Sequence, residues 1–391
     1  MYHLCIIIVL KKKYLWFWLF KYQIPMVIEK FLSDLSITTA LTFICSFLLV
    51  YFVIPNIRFI IKKRRLVDVP DERSSHKEAT PTMAGVAFFI ALVLTLVFIQ
   101  YFDTENMGIN LVAAVSVIFM VALKDDLVLV TPKIKLVVEL FAIGLILIFS
   151  DLHTLNFQGF LGVFELPLLP SVLIVVIGMI GIINAYNLID GVDGLASIIA
   201  MIIFSNFGLV FFTIEDYFYF LICVSFVGML GAFLFYNFSK SKKIFMGDTG
   251  SLIIGFIIGL CCIRFLSLEG PQLEQFSFLP ENSLLFLFSI VSIPIFDTFR
   301  VITIRIKNKK SPFDPDRNHL HHLLLDCGLR HHQVALSLGV LNYFIILLVA
   351  VLSKNSNYIV MIFFVLFLFG GFIILLDFIK NYLKKKSADK N

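Results

Sequence analysis

Apolar stretches near the length of a membrane-spanning helix recur along almost the whole chain. A helix needs about 20 mostly apolar residues to cross the hydrocarbon core of a bilayer. The stretches cover residues 37–60, 82–102, 109–124, 134–150, 169–187, 194–213, 217–238, 251–268, 283–304, 334–353 and 358–379. They predict an all-α, polytopic integral membrane helix bundle with about eleven transmembrane helices.

The composition agrees with a membrane protein and excludes a soluble domain of this size. Of the 391 residues, 59% are hydrophobic and only 15% are charged, which is too little charge to cover a soluble surface. The net charge of +5 is modest, so we expect no nucleic-acid partner. The six cysteines lack the spacing of a metal site or of a disulfide framework.

The pattern divides the chain into three segments. Residues 1–35 form an N-terminal extension whose short apolar runs cannot span a bilayer, and we expect it to be dispensable. Residues 36–380 form the membrane-embedded domain. Residues 381–391 form a basic tail that we expect to lie in the cytoplasm.

The loops between the helices fall into two sets that differ in charge. One set is rich in lysine and arginine and covers residues 61–81, 125–133, 188–193, 239–250 and 305–333 together with the tail. The other set is acidic and, apart from Lys354, carries no Lys or Arg. The positive-inside rule places the basic set in the cytoplasm. We therefore expect a multi-pass protein of the inner (plasma) membrane with its active site on the cytoplasmic side.

Two adjacent carboxylates, Asp125 and Asp126, end the third helix and are followed by Lys133 and Lys135. At a membrane surface such a pair is costly unless a cation or a proton is shared. One interpretation is metal or phosphate chemistry, with the lysines binding phosphate oxygens. The other is a charge cluster that marks the membrane edge.

The fifth helix ends in a run of polar and small residues, Asn184-Ala-Tyr-Asn187-Leu-Ile-Asp190-Gly191-Val-Asp193-Gly194. Its asparagines and aspartates follow one another at spacings of three, which places them on one face if the segment is helical. The glycines allow a turn and the close approach of a ligand. A ligand site is favoured over an interhelical polar cluster, because an inert bundle would not need four such groups.

Asp248 lies between glycines at the start of the eighth helix, in the segment Gly247-Asp248-Thr249-Gly250-Ser251. An aspartate at this position can cap the helix. The same geometry offers backbone N–H groups and a carboxylate beside a phosphate-bound Mg²⁺. The motif by itself supports both interpretations equally.

The longest polar loop contains Arg317 and the histidine cluster His319, His321 and His322. No cysteine or Glu-x-x-His pattern accompanies them, so a Zn²⁺ site is not favoured. Beside the neighbouring basic residues they suit contacts with phosphate or pyrophosphate. We expect the later pair, His331 and His332, to belong to a solvated part of the loop.

Taken together, these motifs resemble those of the polyprenyl-phosphate N-acetylhexosamine-1-phosphate transferase family, or glycosyltransferase family 4. The resemblance covers residues 36–380, and the motifs occur in the family's order. It implies a cytoplasm-facing cleft in which N-acetylhexosamine 1-phosphate, expected to be GlcNAc 1-phosphate, passes from a UDP-sugar to undecaprenyl phosphate. UMP is released, and lipid-linked cell-envelope polysaccharide synthesis begins. The implied partners are UDP-N-acetylhexosamine and undecaprenyl (polyprenyl) phosphate, and a homodimer is compatible with the resemblance.

The resemblance also implies roles for individual residues. The candidate catalytic residues are five acids and one histidine: Asp125, Asp126, Asp190, Asp193, Asp248 and His319. The candidate substrate-binding residues are basic or amide side chains: Lys133, Lys135, Asn184, Asn187, Arg317, His321 and His322. The candidate metal ligands are Asp248, Asn187 and Asp126, for Mg²⁺ or for Mn²⁺ in its place. Asp125 looks like the residue that deprotonates or orients the lipid phosphate.

The chemistry of the residues agrees with these roles. Attack of a phosphate anion on a diphosphate gathers negative charge, which a metal ion and basic side chains can offset. The sequence is consistent with one direct displacement or with an aspartyl-phosphate intermediate, and we favour the direct displacement.

Three other functions are less consistent with the sequence. A transporter would carry ionisable residues near the bilayer midplane and often internal repeats, whereas these acids cluster at helix ends. A non-catalytic scaffold would not need the motifs together. The phospho-MurNAc-pentapeptide transferase branch typically carries three consecutive histidines, unlike His319-x-His321-His322.

Glu139 and Arg264 are the main charges inside apolar stretches, where we expect a buried pair or snorkelling.

Overall fold

The computed structural model describes residues 33–64, 67–68, 80–311 and 318–388. Its helices, in chain order, are α1 (Leu35–Arg64), α2 (Gly85–Phe98), α3 (Met107–Leu127), α4 (Pro132–Ile148), α5 (Leu168–Leu188), α6 (Leu195–Thr213), α7 (Tyr217–Asn237), α8 (Gly247–Leu266), α9 (Gly270–Leu273), α10 (Ser283–Ile290), α11 (Ser292–Lys307), α12 (Leu320–Asp326), α13 (His331–Leu352) and α14 (Tyr358–Ala388). Two short antiparallel pairs, β1 (Val67–Asp68) with β2 (Thr80–Pro81) and β3 (Asn156–Phe160) with β4 (Val163–Glu165), complete the secondary structure together with two 3₁₀ turns.

The predicted class, an all-α membrane bundle, is confirmed. Every predicted apolar stretch contains a helix. Eight of the described helices are long and apolar enough to cross a membrane, or nine when a bent pair is counted as one span. The count of eleven is therefore not confirmed, because α2 and α4 have only 14 and 17 residues. The extension lies almost wholly outside the described residues, and α14 continues into the predicted tail as far as Ala388.

The stretch predicted as one span over 283–304 is broken into α10 and α11, which meet at an angle of 74°. A break at membrane depth frees backbone groups that water cannot satisfy there. The buried Asn342 of α13 satisfies two of them. Its amide oxygen accepts from the Ile293 N–H at 3.3 Å and also from the hydroxyl of Ser292 at 2.9 Å. Its amide nitrogen donates to the Ile290 carbonyl oxygen at 3.2 Å. One polar side chain thus holds the bend.

Helix α8 lies at the centre of the bundle, packed against α2, α3 and α5. In its most apolar 18-residue window, 89% of the residues are buried, against 28% in α5. A helix that is apolar on all sides is stable only when other helices surround it. The first turn of α8 carries Asp248, so the fold places this carboxylate at one end of the most enclosed helix.

The entry to α2 packs directly on the start of α8. The Ala84 and Gly85 N–H groups donate to the carbonyl oxygens of Phe245 and Met246, both at 3.2 Å. A Cβ atom on Gly85 would lie 2.1 Å from the backbone nitrogen of Gly250. Only glycine at position 85 therefore permits this contact between α2 and α8.

Gly85→Ala is expected to lower the stability of the folded protein by about 3 kcal/mol, because two backbones must move apart. The measurement is the thermal unfolding midpoint in detergent. Gly178→Ala is the matched control, since a Cβ there meets nothing within 4 Å and alanine favours the helix. Equal midpoints for the two variants would contradict the close contact.

Candidate active site

The motifs that the sequence singles out meet at one end of the bundle, called here the motif face. Asp125 and Asp126 end α3, Asn187 ends α5, Lys135 lies in the first turn of α4, and Asp248 in that of α8. Because these helices run in alternating directions, the C-terminal ends of two and the N-terminal ends of the others lie together. The hydrogen bonds and ion pairs described below connect them.

A lysine joins the carboxylates of two motifs. Lys135 Nζ lies 2.6 Å from Asp125 Oδ2 and forms a second, shorter ion pair with Asp248 Oδ2. Asp125 Oδ1 also accepts from the Val130 N–H at 2.6 Å. A positive charge between two carboxylates offsets their mutual repulsion. The structure therefore brings Lys135 into the site, whereas Lys133 is exposed and has no hydrogen-bond or ion-pair partner among the described residues.

Asp126 caps the central helix. Its Oδ1 accepts from the Asp248 N–H at 2.9 Å and its Oδ2 from the Thr249 N–H at 3.0 Å, with a further hydrogen bond from Thr249 Oγ1. These N–H groups have no partner within the helix, and an anion is stabilised at this end. Gly247 permits the contact, because its φ is +73° and a Cβ would lie 2.7 Å from Asp126 Oδ2. The cap comes from α3, so the interpretation in which Asp248 itself caps α8 does not apply.

The two asparagines of α5 contact different partners. Asn187 Nδ2 donates to Asp248 Oδ1 at 3.2 Å and to Ser251 Oγ at 2.7 Å. Its side-chain amide oxygen, Oδ1, accepts no hydrogen bond within the described part of the chain. Asn184, one turn earlier, donates to Glu139 Oε2 at 3.1 Å. Both asparagines therefore lie on the face of α5 that lines the site.

The donor set of the site fits a magnesium ion. Within the described residues, no three His, Cys, Asp or Glu side chains could hold a metal by themselves. Mg²⁺ seldom needs such a cage, because one or two carboxylates suffice when water and phosphate oxygens complete its octahedron. Asp125 and Asp248 already hold a cation, the Lys135 ammonium, between them. The side-chain amide oxygen of Asn187 lies nearby and could serve as a further metal ligand. Asp126 is the exception, because both of its oxygens accept hydrogen bonds from α8.

Asp190 and Asp193 differ in environment although they belong to one turn. Burial, followed by the charges of Asp248, Asp126 and Asp193, raises the pKa of Asp190 well above its ordinary value. For Asp193, burial would raise the pKa, but hydrogen bonds from His331 and Lys243 lower it below its ordinary value. Those contacts are 2.9 Å to His331 Nδ1 and 2.7 Å to Lys243 Nζ. Asp193 is therefore neutralised by protein groups, and the expectation that His331 is merely solvated is wrong.

The histidine cluster is ordered by an aspartate that precedes it in the chain. His319 Nδ1 lies 2.8 Å from Asp297 Oδ2, and both residues are buried. Asp297 Oδ1 accepts from the Leu320 N–H at 2.9 Å. A carboxylate on Nδ1 fixes the tautomer and leaves Nε2 as the acceptor of a neutral imidazole.

The histidine cluster also contacts the turn after α5. The rings of His319 and His321 are stacked at 5.7 Å, and those of His321 and His322 lie 4.3 Å apart. A Cβ on Gly191 would lie 2.7 Å from His321 Nε2. The glycine in this turn thus makes room for the histidine ring, and two motifs that are distant in sequence form one surface. Arg317 lies outside the described residues, so its role stays a prediction.

Three residues of the site lie outside the motifs that the sequence singles out. Lys243 and His331 neutralise Asp193, and Asp297 orients His319. A signal existed only for Asp297, as an acid inside an apolar stretch. Lysines and histidines in basic loops are common, so these two could not be distinguished from solvated residues.

The chain is similar to known proteins of one family. The model of the family described as glycosyl transferase family 4 matches residues 106–266. A Pasteurella multocida (strain Pm70) protein named "Undecaprenyl-phosphate alpha-N-acetylglucosaminyl 1-phosphate transferase" is 32% identical over 302 residues, 75% of this chain and 80% of that protein. A Bacillus subtilis (strain 168) protein named "Probable undecaprenyl-phosphate N-acetylglucosaminyl 1-phosphate transferase" is 30% identical over 334 residues, 83% of this chain and 88% of that protein. The chain belongs to glycosyl transferase family 4.

In this family 4 glycosyl transferase, the matched segment runs from the start of α3 to the end of α8. It includes the aspartate pair, Lys135, both asparagines and Asp248. The histidine cluster lies beyond the matched segment, and its place in the site rests on the contact between His321 and Gly191.

His321 makes the stability of this transferase depend on pH. Burial, followed by the charges of the nearby histidines, lowers the pKa of His321 to about 2. The unfolded chain, with a pKa near 6.5, then binds the extra proton. The free energy of unfolding is therefore highest above pH 6.5 and decreases below it, by about 1.4 kcal/mol at pH 5.5.

We expect His321→Asn to show a smaller drop in unfolding midpoint between pH 7.5 and 5.5 than the wild type. A drop of wild-type size would contradict the buried neutral imidazole.

Proposed function

We propose that this protein transfers GlcNAc 1-phosphate from UDP-GlcNAc to undecaprenyl phosphate and releases UMP. Two relatives whose names state this acceptor and this group support the proposal. The structural observation that carries it is the ion-paired set of Asp125, Lys135 and Asp248 at one end of a membrane bundle. Such a position lets a membrane-bound acceptor and a water-soluble donor reach the same groups.

The proposal includes a dependence on Mg²⁺. Asp248 and Asp125 would hold the ion, with the Asn187 carbonyl oxygen beside them. When bound, the ion neutralises charge on the diphosphate. Lys135 can leave the carboxylates, since its charge also suits phosphate oxygens. Asp126 holds the start of α8 in place and so fixes the position of Asp248.

The chain's own groups account for the remaining steps. A phosphate oxygen of the lipid forms the new bond to the phosphorus next to the sugar, and the bond to the UMP oxygen breaks. Asp125, beside Lys135 and Asp248, is suited to orient the lipid phosphate or, where it does not hold the ion, to accept the proton of that phosphate. Asp297 holds His319 in place, and the ring nitrogens of this histidine cluster are suited to hydrogen bonds with the UDP-sugar. Direct displacement needs no further group, and we favour it.

We also propose that the motif face lies on the cytoplasmic side of the plasma membrane. The loops of this face carry the basic residues, including Lys240, Lys242 and Lys243 after α7. At the opposite face, Asp216 accepts from Arg264 Nε at 2.7 Å, so the intramembrane arginine is half of a pair. The cytoplasm supplies nucleotide sugars, and the proposed side agrees with that need.

The decisive experiment is UMP release by the purified full-length protein in detergent. We expect UMP from UDP-GlcNAc only when undecaprenyl phosphate and Mg²⁺ are both present. Parallel reactions with UDP-GalNAc and UDP-MurNAc-pentapeptide compare the sugar with the runner-up branch. Absence of UMP with every donor would refute the proposal, and release from UDP-MurNAc-pentapeptide alone would favour the other branch.

A further inference from the structure

A buried glutamate lies in the wall of the site without an assigned role. Glu139 of α4 is only 3% exposed, one turn after Lys135. It forms no ion pair with any described residue. The positive charge that acts on it is that of Lys135, one turn earlier in α4, without direct contact, and a buried carboxylate that forms no ion pair is costly. Snorkelling, which the sequence allows, does not occur, so the residue must be held by what it contacts.

The carboxylate of Glu139 fixes the side chain of Asn184. Asn184 Nδ2 donates to Glu139 Oε2 at 3.1 Å and to the Ile180 carbonyl oxygen, in its own helix, at 2.9 Å. A side-chain amide has two N–H donors, and both are used. The side-chain amide oxygen of Asn184 must then point away from both acceptors, and it accepts no hydrogen bond inside the described ranges.

The side chain of Asn184 lies one turn of α5 away from the reaction centre. Asn184 and Asn187 are three residues apart and share a face of α5, and Asn187 contacts Asp248 at 3.2 Å. Asn184 is itself exposed. An exposed acceptor one turn from the reaction centre, whose amide cannot rotate, is suited to receive an N–H group of a ligand.

We propose that Glu139 is a positioning residue for the donor substrate. It holds Asn184 so that the amide oxygen accepts a hydrogen bond from an N–H of the UDP-N-acetylhexosamine. Two groups of the donor carry such an N–H, the uracil ring and the acetamido group. The inference rests on the proposed function, because it assigns a role within the donor site. Without Glu139 the Asn184 amide can rotate and present its N–H groups instead of its oxygen.

Two substitutions at position 139 separate positioning from packing. Glu139→Gln keeps an acceptor oxygen, whereas Glu139→Leu removes it and fills a similar volume. Replacement of a buried charge by an apolar group is often neutral or stabilising, so loss of folding is not expected. We expect Glu139→Leu to raise KM for UDP-GlcNAc about tenfold with kcat nearly unchanged. Glu139→Gln should stay near the wild type, as should Glu165→Gln in the exposed hairpin at the other face.

A double-mutant cycle tests whether Glu139 acts through Asn184. In an Asn184→Ala background, Glu139→Leu should have no further effect on KM, whereas a packing role predicts additive effects. The affinities of the wild type and of Glu139→Leu for UDP and for UDP-GlcNAc, measured by calorimetry, identify which N–H is bound, since UDP lacks the acetamido group. If Glu139→Leu binds UDP more weakly than the wild type does, the N–H belongs to the uracil. If only its affinity for UDP-GlcNAc is reduced, the N–H belongs to the acetamido group.

The outcomes also separate this inference from the proposed function. Wild-type UMP release decides the proposed function before any variant is compared. If the wild type is active, a wild-type KM in Glu139→Leu, or additive effects in the cycle, would overturn the positioning role and leave the function standing.

Discussion

Asp248→Asn is expected to lower the rate of UMP release at least about a thousandfold while the protein stays folded in the membrane. The substitution keeps the shape of the side chain and removes its charge. Asp248 is the acid that the Asp126 cap, Asn187 and Lys135 all contact, so one change affects every partner. Because the Asp126 cap bonds to the backbone N–H groups at 248 and 249, α8 keeps its start, and the loss falls on the chemistry.

The matched control is Asp151→Asn in the acidic loop of the opposite face, where the residue is exposed. Both variants are purified in detergent, and their unfolding midpoints and UMP release are compared at several Mg²⁺ concentrations. Turnover like that of the wild type in Asp248→Asn would remove Asp248 from the reaction centre. A comparable loss in both variants would mean that the assay reports a general effect of charge.

Lys135→Met should lower UMP release about a hundredfold or more, since it leaves Asp125 and Asp248 facing each other without the ammonium that joins them. The side chain keeps its length, so the lost charge is the main change. The defect should appear in kcat, because the lysine offsets charge that gathers as the phosphates meet. Steady-state kinetics with varied UDP-GlcNAc and varied lipid acceptor measure both constants.

Lys133→Met provides the comparison for the second lysine of the same segment. The two lysines are equivalent in the sequence, but Lys133 is exposed and only Lys135 contacts the acids. We expect a loss of less than about threefold for Lys133→Met, the size of an exposed charge effect. A larger loss for Lys133→Met than for Lys135→Met would show that the ion pairs do not identify the phosphate ligand.

The membrane class and the position of the motifs were predictable from the sequence because both depend on local pattern. Apolar length determines where a helix can cross a bilayer, and polar residues at helix ends are then forced to a surface. When α3, α5 and α8 cross in alternating directions, the ends that carry Asp126, Asn187 and Asp248 must lie together. The structure adds the order of contacts, in which Asp126 caps α8 and Asp248 contacts Asn187.

The remaining features depend on packing between segments that are distant in the chain. The break between α10 and α11 is not visible in the sequence, because what permits it is Asn342, some fifty residues later. Likewise His331 is placed on Asp193 by the way α13 packs against α6. For Glu139 the sequence predicts a buried pair or snorkelling, and its contact with Asn184 arises only from the packing of α4 against α5. Composition and spacing carry no information on such pairs.

The bend held by Asn342 has a consequence for how this molecule opens. Around Val291 the helical hydrogen-bond pattern is interrupted, and the Ile290 carbonyl oxygen and the Ile293 N–H are both bonded by the single side chain of Asn342. Local opening there needs fewer bonds to break than in the continuous helix α8. Deuterium should therefore enter this span before its neighbours. Since α11 also carries Asp297, which orients His319, such an opening would release the histidines while the carboxylates around Lys135 stay in register. The histidine part of the reaction centre would thus open locally without opening of the part that contains the carboxylates and Lys135.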